Sequence, residues 1–123
     1  MKTIPHYLLA LLLVIVVGVV TVGAREAVNP AQPQLPKKLS HISFSGADGS
    51  SCEKAVAVKN ATNHFEGIAA EKVWIAWRYP DSKLKGQAVS GAGNKTFDTL
   101  EIEIANGGSE TICFDITDFF GLW

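Results

Sequence analysis

Hydrophobic patterning divides the chain into three regimes. From Tyr7 to Ala24 apolar residues run almost unbroken, and the only polar side chains are the hydroxyls of Tyr7 and Thr21. From Arg25 to Leu39 the pattern is interrupted by Pro30, Pro33 and Pro36. From Ser40 onward apolar and polar positions alternate over short distances, between turns rich in glycine and asparagine.

The first regime predicts a signal peptide or a signal-anchor helix over residues 1–24. Lys2 supplies the positive N-region, and Val22-Gly23-Ala24 fits a signal-peptidase site. If the segment is retained, Tyr7, Leu8, Leu12, Ile15, Val19 and Val22 belong to a single membrane helix, since about 20 apolar residues span a bilayer. Lys2 and the N-terminal amine outweigh Arg25, which Glu26 offsets, so the positive-inside rule places the rest of the chain outside the cytoplasm. Both alternatives predict export. Residues 25–39 read as a proline-rich linker, because proline blocks both helix and central strand.

Residues 40–123 read as one small α+β domain. "SHISFSG" alternates, with Ile42 and Phe44 on one face, and "KAVAVKN" alternates with Val56 and Val58. A helix follows. Asn63 and Glu66 have the spacing of a capping box, in which each side chain satisfies a free backbone N–H, and Pro80 sets the far limit. At about 100° per residue, Phe65, Ile68, Ala69, Ile75, Ala76 and Tyr79 form one apolar stripe. Trp74 falls opposite, next to Arg78, and is predicted to face away from the sheet. After a polar loop come a short strand, "QAVS", and a turn, "GAGNK".

Two further stretches, "FDTLEIEIA" and "TICFDIT", alternate and flank "NGGSE", a strong hairpin signal. Directly paired residues of an antiparallel hairpin share a face. Pairing Ile104 with Ile112, Ile102 with Phe114 and Leu100 with Ile116 keeps both apolar sets together and centres the loop on Gly108. The expected architecture is one amphipathic helix packed on a small antiparallel β-sheet, in two layers.

Charge adds exclusions. The part from Arg25 carries ten Lys and Arg, the eleventh being Lys2, against all twelve Asp and Glu. This near balance gives no electrostatic footprint for nucleic acid. The three histidines are scattered, and no Cys-x-x-Cys or His-x-x-x-His is present, so the sequence supports neither a metal nor a cofactor site. Asp115 and Asp118 are read as turn caps rather than a catalytic pair. Cys52 and Cys113 leave two alternatives: a disulfide closing a loop of about 60 residues and adding roughly 4 kcal/mol, or two unlinked thiols. Cys113 falls on the face opposite the helix, so a bridge requires Cys52 to come round to that face. The ending "DITDFFGLW" puts Phe119, Phe120 and Trp123 within five residues. At least one Phe is expected in the core, and Trp123 at a partner surface.

The runs "GADGSSCEKAVAVKNA", "FEGIAAE" and "RYP" and the ending "FDITDFFG" resemble a group of short exported bacterial proteins without an assigned activity. The resemblance covers about residues 46–121 and implies a bacterial source and an envelope location. It carries no catalytic residue. It also implies an aromatic where Cys113 stands, and the Leu122-Trp123 extension departs from the pattern.

Together these expectations describe a non-enzymatic interaction module. It is tethered to the inner membrane with its domain in the periplasm, and it serves as an accessory subunit of a membrane protein assembly. Trp74, Arg78 and Trp123 would form the partner surface, since Trp and Arg are common interface hot spots. A second reading is a soluble periplasmic protein, its signal removed, that binds a small ligand between helix and sheet. A third is an envelope enzyme using Cys52 as nucleophile.

Overall fold

The computed structural model describes residues 32–123. The expected membrane helix, including Tyr7, Leu8, Leu12, Ile15, Val19 and Val22, lies outside the described residues. Strands β1 (Ser43–Gly46) and β2 (Val56–Lys59) precede helix α1 (His64–Arg78). Strands β3 (Lys83–Ala92), β4 (Lys95–Glu103) and β5 (Ser109–Asp115) follow it. They form one five-stranded sheet in the order β1-β2-β5-β4-β3. The helix packs on one face, so the module is α+β.

The expected all-antiparallel sheet is corrected to a mixed one. β2 and β5 run parallel, pairing Val56 with Phe114 and Ala57 with Asp115. The connection through α1, β3 and β4 is long enough to bring the chain back in the same direction, which two hairpins alone would not do. The β4–β5 hairpin register is also corrected. Leu100 pairs with Ile112 rather than Ile116, a slide of four residues that keeps every apolar side chain on the expected face. The turn chemistry accounts for it. Asn106 Oδ1 accepts from the Gly108 N–H at 2.8 Å, and Gly107 takes φ 93°, so the reversal centres on Asn106. The expected short strand "QAVS" is the middle of the ten-residue β3, which pairs along all of β4.

The core joins Phe44, Val56, Val58, Leu100, Ile102, Ile112 and Phe114 of the sheet to Ala70, Trp74 and Ile75 of the helix. Residues within the proline-rich stretch pack onto it too. Leu39 is buried, Leu35 lies against the core, and Gln32 donates to the Phe44 carbonyl at 2.9 Å.

The helix stripe differs from expectation. Its buried residues are Gly67, Ala70, Glu71, Trp74 and Ile75, a clean i, i+3, i+4, i+7, i+8 set, while Phe65 is 68% exposed. Close packing outweighs side-chain hydrophobicity at this contact. Gly67 and Ala70 let the helix approach the sheet and the chain end, and the ring of Phe119 fills the space a Cβ on Gly67 would take. Trp74 then meets Phe114 edge-on, with ring centroids 5.5 Å apart.

Both helix ends are capped. Asn63 Oδ1 accepts from the Glu66 N–H at 2.9 Å. Glu66 reaches one residue further back than a capping box requires and accepts from the N–H and hydroxyl of Thr62. His41 bonds the same oxygen at 2.8 Å. These bonds, the Thr62 N–H foremost, hold the Glu66 carboxyl down to about 2. At the far end Tyr79 closes the helix with its N–H on the Ile75 carbonyl.

Candidate functional site

On the face opposite the helix, Cys52 and Cys113 form a disulfide. A 3-10 turn, Cys52–Lys54, carries Cys52 round to β5, and Cys113 donates its N–H to the Gly49 carbonyl at 2.8 Å. The bond leaves neither sulfur free as a thiolate.

The residues expected at a partner surface do not come together. Trp74 is 6% exposed, which corrects its outward placement: the rotated stripe turns its ring onto Phe114. Arg78 is exposed and its guanidinium lies over the Tyr79 ring, 4.6 Å from the centroid. Trp123 is 79% exposed at the other end of the helix. It stacks on His64 with centroids 4.2 Å apart and meets Phe65 edge-on. The chain end is drawn there by a hydrogen bond from the His64 N–H to the Leu122 carbonyl. Phe65, Phe120, Leu122 and Trp123 form an exposed apolar corner above the buried Phe119.

Asp115 and Asp118 hold the turn that leads to this corner. Asp115 accepts from the N–H and hydroxyl of Thr117. Asp118 accepts from the Asn60 N–H at 3.1 Å and from Lys59, bonds that lower its carboxyl below the usual range, the Asn60 N–H foremost. Asn60 itself sits at φ 74°, a conformation asparagine tolerates.

A concave feature lies between α1 and the β3–β4 hairpin. It is a cleft of about 290 Å³. Ile68, Ile75, Leu84, Leu100 and Ile102 give it apolar walls, with Lys72, Tyr79, Asp81 and Ser82 also in the lining. Leu84 is half exposed at its edge, because α1 covers β4 and leaves much of β3 open.

Two carboxyl groups stand against this cleft. Glu71 lines it and is 1% exposed; Asp98, on the helix-facing side of β4, is 3% exposed. The two carboxyl groups are close enough to interact. Gln87 Nε2 donates to Asp98 Oδ2 at 2.7 Å. Glu71 Oε2 and Asp98 Oδ1 find no hydrogen-bond partner among the described residues. Burial, and then the neighbouring Asp98 carboxyl, push Glu71 up to about 9, so it is neutral near pH 7. Among the described residues no basic side chain forms a salt bridge with either group.

Sequence reasoning missed this pair because Asp98 and Glu71 are 27 positions apart. The stripe expected from the sequence leaves Glu71 out, so no local signal marks it as buried. Among the described residues no group of three or more His, Cys, Asp or Glu is placed to hold a metal ion, and no helix is long and apolar enough to cross a membrane. No protein-family model, curated protein or solved structure matches the chain.

Proposed function

We propose that this domain is a non-enzymatic binding module of the bacterial envelope that takes a small, largely apolar ligand in the cleft between α1 and the β3–β4 hairpin. The supporting observation is the cleft itself: apolar walls and a small number of convergent polar groups are the usual make-up of a ligand pocket. Its volume is near the lower end for such pockets, about 300 Å³, which suits a ligand of few heavy atoms. The envelope location rests on the apolar run over residues 7–24, which would act as a cleaved signal or as an inner-membrane anchor with the domain in the periplasm.

Methyl NMR of the full chain, titrated with n-pentanol as a probe of apolar volume, tests the cleft. Shifts centred on Ile75, Leu100 and Ile102 are expected; shifts scattered over the surface, or none, would remove the reading. N-terminal sequencing of the protein from membrane and soluble fractions decides the tether. A start at Met1 means a retained anchor and a start at Arg25 a cleaved signal.

A second reading is a protein partner at the membrane, docked on the corner formed by Phe65, Phe120, Leu122 and Trp123. Its support is the exposure of Phe65 and Trp123 side by side, with Phe120 also exposed. Trp123→Ala should then release any partner that co-purifies after gentle detergent extraction. The use of Cys52 as a nucleophile loses its support, since the sulfur is bonded to Cys113.

A further inference from the structure

We infer that the cleft selects a small cationic amphiphile, a primary ammonium group on a short apolar body, with the ammonium seated on Glu71, which lines the cleft in front of Asp98. The inference rests on the cleft being a ligand site and names the class of ligand.

The site as it stands is costly. A carboxyl buried among apolar side chains is expensive unless paired, and mutational experience with such groups favours replacement by apolar residues where nothing is gained from charge. The helix nevertheless presents Glu71 in its packed stripe, directly against Asp98 on β4. Two buried carboxyl groups side by side form a ready receptor for a cation. An ammonium brings three N–H donors, and neither Glu71 Oε2 nor Asp98 Oδ1 has a hydrogen-bond partner among the described residues. An acceptor head group finds nothing equivalent on this floor, because the one amide nearby, that of Gln87, is already engaged with Asp98. The apolar body then lies along Ile75, Leu100 and Ile102.

The groups that bear on the titration are few. Asp98 faces Glu71 from β4 and Gln87 approaches from β3. Lys72 and Tyr79 on α1 and Asp81 in the turn after it complete the titratable lining. Lys72 is its only cation and is exposed. Binding exchanges one cation for another. The ammonium enters, Glu71 gives up its proton, and that proton leaves to solvent.

The exchange fixes the test. The full chain is titrated with n-pentylamine, n-pentanol and n-pentanoate, which share one apolar body and differ in head group, and cleft methyl shifts are read at pH 6, 7 and 8. The ammonium probe is expected to bind at least about tenfold more tightly than the alcohol at pH 8, and its affinity to rise about tenfold per pH unit, because one proton is released on binding. Glu71→Gln keeps the shape and can donate to Asp98, so the variant should fold. It should lose the preference for the ammonium and its pH dependence while still taking pentanol. If pentanol binds as tightly as pentylamine, or if Glu71→Gln leaves the amine affinity unchanged, the cationic class is wrong. If pentanoate binds best, Lys72 sets the head group instead. If no probe shifts the cleft methyls, the cleft reading itself falls, and this inference with it.

Discussion

The ring of Phe119 lies flat against the backbone of Gly67, in the volume that any side chain at that position would need. This contact ties the chain end to the first turn of the helix and joins two stretches far apart in sequence. Gly67→Ala would gain about 1 kcal/mol in helix propensity but force overpacking that costs about 1–3 kcal/mol. A net loss is expected, seen as a fall of several degrees in melting temperature. Combining it with Phe119→Leu should recover part of the loss, because the smaller side chain makes room. If the double variant is as unstable as the sum of the singles, the contact is not the cause.

Trp74 and Trp123 should separate sharply. Trp74→Ala empties a packed position between helix and sheet and should destabilise by about 3–5 kcal/mol. Trp123→Ala removes an exposed ring and should stay within about 0.5 kcal/mol of the parent. Chemical denaturation of both variants checks this.

Reduction should weaken the fold without abolishing the core. The bridge between Cys52 and Cys113 spans 61 positions, and on the chain-entropy model it contributes about 4 kcal/mol. Melting with and without reductant measures the loss. The double variant Cys52→Ala, Cys113→Ala should match the reduced protein.

Glu71 gives stability an unusual pH dependence. The folded chain keeps its proton up to about 9, whereas the unfolded chain releases it near 4.5. Between these values folding takes up a proton, so stability falls as pH rises and levels off above the upper one. The slope is at most about 1.4 kcal/mol per pH unit. Glu71→Gln should flatten this part of the profile and melt higher than the parent at pH 8. An unchanged slope in the variant would mean that another group carries the titration.

What the sequence reveals and what it hides follow from the range of the forces involved. Alternation at Leu100 and Ile102, and at Ile112 and Phe114, is a local signal, and it assigns the faces of β4 and β5 correctly. The Asn63 cap is local too. The hairpin register depends on whether Asn106 or Gly108 centres the turn, a difference of side-chain hydrogen bonding that alternation does not see. The helix face depends on what it meets. Phe65 looks like an anchor on a wheel, but the surface waiting for α1 carries Phe119 and Phe114, which call for Gly67, Ala70 and the ring of Trp74. Of the candidate site, only the apolar walls were legible. The Glu71–Asp98 pair exists only once β4 is placed under the helix, and a glutamate in a helix has no reason in sequence to be read as buried.

The position of β5 has a consequence for how the molecule comes into being. The β1–β2 hairpin and the β3–β4 hairpin touch within the sheet only through this last strand, which lies between them. Both pieces can form early, yet the parallel pairing with β2 and the seat of Phe119 on Gly67 wait for β5 and the turn after it. Until that strand is made the two hairpins have no sheet to share, so the sheet closes only after both of them exist.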